Sequence, residues 1–280
     1  MRKIESEIIT NAVKDLCAET NYNLPDDVLK SLSDCICCEN GSAARDILEQ
    51  IAKNASIAKK EKVPLCQDTG TANFFIKLGQ EVRVENGNIC DAINKGVALG
   101  YKDNYLRKSI VSDPLERKNT TDNTPSNIYI DIVSGEKIEI TFLPKGGGGE
   151  NASSLKMLTP SACWEGVKDF VLSVVKDKGK NACPPLIIGV GVGGDFASVG
   201  LLSKKALLRE ISSVNENAFY AKKEQELLSE INKLNIGPMG MGGNTTALAV
   251  FIAAKPTHIA SLPVAVSIQC HSCRRKTITI

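Results

Sequence analysis

The sequence is poor in aromatic residues, carries almost no excess charge and contains no long apolar run. Aromatic residues make up 5% of the chain and include one tryptophan, so a base-stacking surface for nucleic acid is not expected. The formal net charge is +2 and the basic residues are dispersed, which argues against a nucleic-acid partner. No apolar run approaches the ~20 residues of a membrane helix. We therefore expect neither nucleic acid nor a membrane as a partner.

A secretion signal and a histidine-based catalytic triad are also not indicated. Residues 1–7 become charged at once and lack the apolar stretch of a signal peptide, which predicts a cytoplasmic protein. The only histidines, His258 and His271, have no serine or cysteine elbow motif beside them. Acid–base chemistry is therefore expected from a carboxylate instead.

Cysteine, by contrast, is abundant, with ten residues. Cys66, Cys183 and Cys270 lie far apart in sequence, each in a loop-like segment beside proline, glycine or small residues. Three converging thiolates would suit an iron–sulfur cluster with one iron left without a protein ligand, which makes the cluster a Lewis acid. Spacing alone does not select these three cysteines from the ten.

The run Cys66-Gln67-Asp68-Thr69-Gly70 places a carboxylate directly beside one of these cysteines. Asp68 is therefore the candidate for acid–base chemistry. Asp-Thr-Gly is also ordinary turn chemistry, so a purely structural role for Asp68 stays open.

The remaining cysteines allow an interpretation from another functional class. Cys270 and Cys273 form a C-x-x-C pair, as in redox motifs or half of a zinc knuckle. The second group of this kind is formed by Cys35, Cys37 and Cys38. Together they would describe a zinc-binding structural protein or a thiol redox protein.

The apolar patterns predict a mixed α/β protein that forms a single domain over residues 1–280. Residues 1–62 show helical spacing and are expected to form a helical layer. Residues 63–280 alternate between strand, loop and helix patterns and are expected to form the cluster- and substrate-binding part. Helices are predicted at residues 3–18, from Asp26, from Ser42, and at 161–178, 203–212 and 216–234, and strands at 73–78, 128–133, 137–142, 186–192, 246–253 and 260–268.

Three further expectations concern local structure. The polar residues 112–127 predict a surface loop. Residues 134–136, Ser-Gly-Glu, predict a hairpin between the two strands that flank them. Cys17 and Cys163 fall in helical patterns, which predicts packing roles for both.

The glycine-rich stretches have competing interpretations. Residues 189–194 match the dinucleotide pattern G-x-G-x-x-G after a predicted strand, but the confirming acidic residue is not evident. The alternative is a glycine turn that lets a strand meet a helix closely, and backbone N–H groups there would also suit a substrate carboxylate. Lys145 precedes four glycines at 146–149, which lack the end of a phosphate-binding loop but let the backbone approach a ligand. Residues 237–244 form a further glycine-rich loop.

The chain resembles the alpha subunit of the two-subunit class I fumarate hydratases and the related L-tartrate dehydratases. The blocks that carry the resemblance occur in the family's order between residues 63 and 270 and are jointly specific. They are residues 63–72 (VPLCQDTGTA), 103–107 (DNYLR), 144–148 (PKGGG), 182–185 (ACPP), 237–246 (GPMGMGGNTT), 256–258 (PTH) and 263–270 (PVAVSIQC).

The resemblance implies a [4Fe-4S] cluster held by Cys66, Cys183 and Cys270. In this family the fourth iron binds substrate directly. Hydration of a carbon–carbon double bond flanked by carboxylates requires stabilisation of a dianionic, aci-carboxylate-like transition state, and a Lewis-acidic centre supplies it.

The resemblance also assigns substrate contacts. Gln67, Asp68 and Arg107 match positions that contact substrate carboxylate or hydroxyl groups, and Gly147 matches a stretch that lines the pocket. Arg107 would hold one carboxylate of a small dicarboxylate in a two-pronged contact. Asp68 would orient the bound hydroxyl or carry its proton.

The chain departs from the longer, single-chain members of the family. Those members have a histidine in the block after the second glycine-rich loop, where this chain has residues 244–248 (NTTAL). The family's second portion is absent, so a separate beta subunit is expected, in an assembly such as α2β2. The expected reaction is reversible hydration of fumarate to (S)-malate, and the alternative is dehydration of L-tartrate to oxaloacetate.

Overall fold

The chain combines helices with strands, and the mixed α/β class predicted from the sequence is confirmed. The computed structural model describes residues 1–280. The strands are β1 (Arg2–Glu5), β2 (Thr71–Gly79), β3 (Val82–Glu85), β4 (Asn127–Val133), β5 (Ile138–Lys145), β6 (Ser154–Leu158), β7 (Leu186–Gly194), β8 (Ala247–Thr257), β9 (Leu262–Gln269) and β10 (Lys276–Thr279). The α-helices are α1 (Ser6–Tyr22), α2 (Asp26–Cys38), α3 (Ser42–Glu61), α4 (Ile89–Asp103), α5 (Gly147–Ala152), α6 (Cys163–Lys178), α7 (Phe196–Ala206) and α8 (Ala218–Lys233). None of the helices combines the length and apolarity needed to cross a membrane.

The chain forms two compact units, each assembled from separate stretches. Unit 1 comprises Met1–Pro25, Asn54–Gly147 and Arg274–Ile280, and unit 2 comprises Asp26–Lys53 and Gly148–Cys273. The helices of residues 1–62 are divided between them, since α1 belongs to unit 1 and α2 to unit 2. A single helical layer over these residues therefore stays a prediction.

Unit 1 is built on a four-stranded sheet in the order β10-β5-β2-β4, beside a parallel pair of β1 and β3. Its core is closed by α1 and α4, whose apolar positions face the sheet; Val13 and Ile93 are fully buried. Phe74 of β2 and Phe142 of β5 stack across the strands, with ring centroids 4.9 Å apart. The side chain of Asn88 caps α4 by accepting the N–H of Asp91 at 2.8 Å.

The predicted hairpin between β4 and β5 is wrong. β2 lies between them, parallel to β4 and antiparallel to β5. The physical reason is burial: residues 72–76 of β2 are buried, whereas most of β4 is exposed. The most deeply buried strand takes the interior position, and the largely exposed β4 lies at the edge of the sheet.

Unit 2 is built on a second four-stranded sheet, in the order β6-β9-β7-β8. The long apolar run predicted as a buried strand is β7, a central strand that pairs in parallel with β8 and antiparallel with β9. Val171 of α6 and Leu227 of α8 are fully buried in the core over this sheet. Both predicted helices are confirmed, and α8 begins at Asn217, whose side chain accepts the N–H of Phe219 at 2.9 Å.

The dinucleotide-like glycines of β7 serve close packing, as the alternative interpretation predicted. A Cβ on Gly189 would lie 2.1 Å from the carbonyl oxygen of Ser203 in α7. The helix predicted at residues 203–212 is in fact α7, which starts earlier. Asp195 and Ser198 form a capping box at its N-terminus, and this cap fixes the start of the helix directly after the glycines.

Several other local expectations are corrected or confirmed. The first helix starts at Ser6 rather than residue 3, because β1 pairs with β3. Residues 112–126 contain no helix or strand, as predicted. Cys17 is buried as predicted, but Cys163 is exposed at the start of α6, so its packing role is wrong. The strands β1, β3, β6 and β10 and the helices α4 and α5 were not predicted.

Candidate functional site

The loop that carries Cys66 and Asp68 connects α3 to β2 in unit 1. It is anchored at Leu65, whose N–H donates to the carbonyl of Asn21 at 2.9 Å and whose carbonyl accepts from the side chain of Asn54 at 2.9 Å. The backbone N–H of Asp68 points to the Sγ atom of Cys66 at 3.4 Å. Hydrogen bonds of this kind to sulfur are typical of thiolates that hold iron–sulfur clusters.

The carboxylate of Asp68 has two different backbone partners. Oδ1 accepts the N–H of Gly70 at 3.0 Å, which is the turn contact expected of Asp-Thr-Gly. Oδ2 accepts the N–H of Gly147 at 2.8 Å, far along the chain. The second contact goes beyond turn formation, so the turn accounts for only one side of this carboxylate.

Gly70 explains how these distant residues meet. Its φ is 75°, and a Cβ there would lie 2.7 Å from the backbone carbon of Lys145. Only glycine adopts this conformation at so small a distance without strain. The end of β5, and with it Gly147, therefore lies directly beside the loop that carries Asp68.

Gln67 and Arg107 are both exposed, next to the same loop. The hydroxyl of Thr69 donates to the carbonyl of Arg107 at 3.0 Å, and Leu106 is buried beneath. The backbone of Arg107 is thus anchored, while the residue itself is exposed. Within unit 1 the structure brings together Cys66, Gln67, Asp68, Arg107 and Gly147 through these contacts.

Cys183 and Cys270 lie at the same edge of the sheet of unit 2. Cys183 precedes β7 and Cys270 follows β9, and since these neighbouring strands are antiparallel, the start of one lies beside the end of the other. The N–H of His271 donates to the carbonyl of Cys183 at 3.4 Å, and its ring Nδ1 lies 2.9 Å from the same oxygen. The backbone of Cys183 is left-handed, with φ of 53°, and its side chain is exposed.

The second glycine-rich loop reaches the same edge of unit 2. The N–H of Met239 donates to the carbonyl of Pro184 at 2.8 Å. The loop is held from its other end by Glu39, which is 1% exposed and whose carboxylate accepts the N–H groups of Asn244 and Thr245 at 3.0 and 3.2 Å.

Glu39 is ionised in this setting. Burial alone would raise its pKa, but the N–H donors of Asn244, Gly41 and Thr245 together outweigh burial and lower the pKa below its usual value. The carboxylate thus acts as a fixed negative partner for the loop backbone.

The donor chemistry of the three predicted cluster ligands fits an iron–sulfur cluster. None of the ten cysteines is in a disulfide, and Cys66, Cys183 and Cys270 are at least partly exposed. Neither unit by itself contains a group of three His, Cys, Asp or Glu side chains placed to hold a metal ion. The five cysteines of the zinc alternative all lie in unit 2. Because no metal-binding group of side chains is found there, the geometry of unit 2 does not support a zinc site.

A comparison with protein families decides which class of protein these loops belong to. The model of the family described as fumarate hydratase (fumerase) matches residues 10–279. The chain belongs to the fumarate hydratase family. As a member it is an enzyme of the hydro-lyase class, which confirms the resemblance stated from the sequence.

Curated relatives of this fumarate hydratase family member cover nearly its whole length. A protein of Methanocaldococcus jannaschii with the provisional name L(+)-tartrate dehydratase subunit alpha is 42% identical over 273 residues, 95% of this chain and 95% of that protein. The L(+)-tartrate dehydratase subunit alpha of Escherichia coli strain UTI89 is 33% identical over 276 residues, 97% of this chain and 90% of that protein. The protein of the same name from strain K12 is 32% identical.

Some residues that support the family's loops were missed from the sequence. Glu39 gave no signal beyond the turn residues Asn40-Gly41 that follow it. Arg274, Tyr101 and Asn123, which bind the loop of Asp68, lie in segments that suggested no site. Only the folded chain shows that the last three side chains bind the consecutive residues 68–70.

Proposed function

We propose that this chain is the alpha subunit of a [4Fe-4S] hydro-lyase that hydrates fumarate reversibly to (S)-malate. The observation that carries the proposal is the family match over residues 10–279, together with the carboxylate of Asp68 held beside the loop of Cys66. The local geometry of unit 1 agrees with a site for a small dicarboxylate, because exposed donors and one carboxylate acceptor share one loop cluster.

Cys66, Cys183 and Cys270 are the proposed cluster ligands. They lie in irregular segments and are not in disulfides, and the N–H of Asp68 already points to the sulfur of Cys66 at 3.4 Å. When bound, the cluster supplies Lewis-acid chemistry through an iron that has no protein thiolate.

Asp68 is the proposed group that holds or moves a proton at the hydroxyl of the substrate. The N–H groups of Gly70 and Gly147 fix both of its oxygens, so the carboxylate is oriented before substrate arrives. Such prior orientation lowers the reorganisation needed in the transition state.

Arg107 and Gln67 are the proposed binding groups for the substrate's carboxylates. Arg107 is exposed and its backbone carbonyl is bound by the hydroxyl of Thr69. A guanidinium binds a carboxylate through two parallel N–H donors, which fixes both position and direction. The amide of Gln67 adds a neutral donor on the same exposed side.

L-tartrate dehydration to oxaloacetate is the second candidate function. Relatives that align over most of their length carry the name L(+)-tartrate dehydratase. The substrates differ by one hydroxyl, and rejection of one of them depends on a few polar contacts. The chemistry and the residues proposed above are common to both reactions.

The relatives are named alpha subunits, and on that basis we propose a separate beta subunit and a heteromer such as α2β2. The beta subunit would supply further carboxylate-binding groups and the base that acts at carbon. A cytoplasmic location is proposed because thiolates that hold a cluster require a reducing compartment.

Anaerobic co-expression with the candidate beta subunit, followed by parallel turnover assays on fumarate and L-tartrate, tests the proposal. Faster fumarate hydration supports the first candidate, and faster tartrate dehydration supports the second. Iron and sulfide analysis of the same sample tests the cluster, and a colourless zinc-bearing protein would refute it. Activity should also decay in air and return with iron and thiol, since the open iron is exposed to oxidants.

A further inference from the structure

The backbone carbonyls of residues 68–70 are all bound by buried side chains. Arg274 donates through Nη2 to the first carbonyl at 3.0 Å, the hydroxyl of Tyr101 donates to the second at 2.9 Å, and Nδ2 of Asn123 donates to the third at 3.2 Å. Arg274 is 1% exposed and the other two are fully buried. Three buried donors for three consecutive carbonyls hold this loop far more tightly than its turn requires.

Arg274 is unusual among these donors because it brings a charge into the interior. Its Nη1 donates to Oδ1 of Asn21 at 3.0 Å, so both described partners of the guanidinium are neutral oxygens. Its Nε is buried without a hydrogen-bond partner. Burial of a cation on neutral partners costs free energy, and a cost of this kind calls for a compensating role.

The carbonyl that Arg274 binds belongs to Asp68 itself. Fixing this carbonyl fixes the peptide plane that follows Asp68 and therefore its backbone ψ angle. The carboxylate contacts with Gly70 and Gly147, at 3.0 and 2.8 Å, depend on that angle. The backbone side of Asp68 is thus held by Arg274, and the carboxylate side by two N–H groups.

We propose that Arg274 is a positioning residue that sets the orientation of the Asp68 carboxylate. The proposal rests on the catalytic role proposed above for Asp68. Lysine is a poor substitute, because one ammonium cannot reproduce the fork that joins Asn21 to the Asp68 carbonyl. Loss of the fork should let the peptide after Asp68 rotate and spoil the alignment of the carboxylate.

The kinetic test uses the complete enzyme with its beta subunit and cluster. Arg274→Lys should lower kcat by on the order of 10- to 100-fold, as small misplacements of catalytic groups do, with KM and cluster absorbance nearly unchanged. The same change in an Asp68→Asn background should lower kcat by less than about twofold, because the residue through which Arg274 acts is already disabled. Arg83→Lys, at an exposed arginine of unit 1, is the matched control and should leave kcat unchanged. An equal loss in both backgrounds would show a general structural role and overturn the proposal.

A second readout does not depend on activity. Amide hydrogen exchange of the full chain should be faster at Gly70 and Gly147 in Arg274→Lys than in the wild type or in Arg83→Lys. Unchanged exchange at these amides would refute the positioning role even if the enzyme had another substrate. Inactivity of the wild type on both dicarboxylates, with faster exchange in the variant, would instead refute the proposed function alone.

A variant that keeps the arginine guards against misfolding of Arg274→Lys. Asn21→Ala removes the oxygen that holds Nη1 and leaves the charge in place. It should produce the same pattern of lower kcat and faster exchange at smaller amplitude. Wild-type kcat and wild-type exchange in this variant would contradict the proposed fork.

Discussion

Two glycine-rich stretches look alike in sequence and differ in physical use. In β7, Gly189 lets the backbone of α7 approach, since a Cβ there would lie 2.1 Å from the carbonyl of Ser203. At the start of α5, a Cβ on Gly147 would meet only Oδ2 of Asp68, at an ordinary 3.8 Å. There the N–H group matters, because it holds the carboxylate at 2.8 Å.

The difference shows that a run of glycines can have two separate structural roles. In unit 2 the glycines remove side chains so that a helix and a strand pack closely, which concerns stability. In unit 1 a glycine N–H binds a proposed catalytic group, which concerns chemistry. Composition does not separate the two cases, but substitutions do.

Asp68→Asn gives the largest expected effect. It should lower kcat by about 10²- to 10⁴-fold, because a neutral amide cannot take or give the proton. Cluster absorbance should change little. The thermal unfolding midpoint should fall only slightly, because Asn keeps one of the two N–H acceptors and Asp68 is half-buried, so that water can reach the other N–H. Asp113→Asn, at an exposed loop aspartate that accepts two backbone N–H groups, is the control. Unchanged turnover in Asp68→Asn would show that this residue only forms a turn. The N–H of Gly147 would then have no catalytic group to hold.

Gly189→Ala should lower the free energy of unfolding by about 3 kcal/mol. The added methyl group meets backbone of α7, which cannot swing aside as a flexible side chain would. Denaturant unfolding of the chain measures this loss. Gly200→Ala on α7, whose Cβ would meet only Leu155 at 4.0 Å, should be neutral or slightly stabilising. Equal effects of both substitutions would contradict the packing role of Gly189.

Glu39→Gln should destabilise unit 2 by about 2 kcal/mol, because the amide leaves part of the buried N–H set around residues 244–245 without a good acceptor. The exposed Glu49→Gln in α3 is the matched control. Proteolysis near residues 240–245 is a second measurement, and it should be faster only in Glu39→Gln. Similar stability in the two variants would mean that the glycine-rich loop at residues 237–244 keeps its conformation without the Glu39 carboxylate.

The same carboxylate predicts a pH dependence of stability. The pKa of Glu39 is lowered on folding, so its stabilising contribution is complete above the unfolded-state value of about 4.3. It is lost as the pH falls through the lower folded-state pKa. The difference in unfolding free energy between wild type and Glu39→Gln should therefore shrink as the pH drops below about 4. A difference that grows on acidification would have the wrong sign.

Gly147→Ala should have the smallest effect and sharpens the comparison most. The fold should tolerate the methyl group, because its nearest neighbour lies at 3.8 Å, and the unfolding free energy should change by less than about 1 kcal/mol. The N–H of residue 147 is retained, so kcat should fall only a few-fold. A loss of stability as large as that of Gly189→Ala would show that both runs serve packing.

The sequence predicts the elements whose patterns are strong and misses those that depend on distant partners. β7 could be predicted because its apolar run needs no partner to be recognised. The pairing of β2 with β5 could not, since it depends on which strand is most deeply buried. Helix α4 was missed because glycines interrupt its apolar face. Proximity to Cys66 pointed to Asp68, whereas Arg274 binds it from 206 positions away, a separation that no local pattern encodes.

The assembly of each unit from separate stretches has a consequence for the gene. The chain leaves one unit and enters the other after Pro25, Lys53, Gly147 and Cys273. No single recombination breakpoint can therefore exchange one unit intact between two homologues. A chimaera cut after Gly147 would join β5 of one parent to β10 of the other, so the two strands would have to pair across parents. The two units are thus expected to be inherited together.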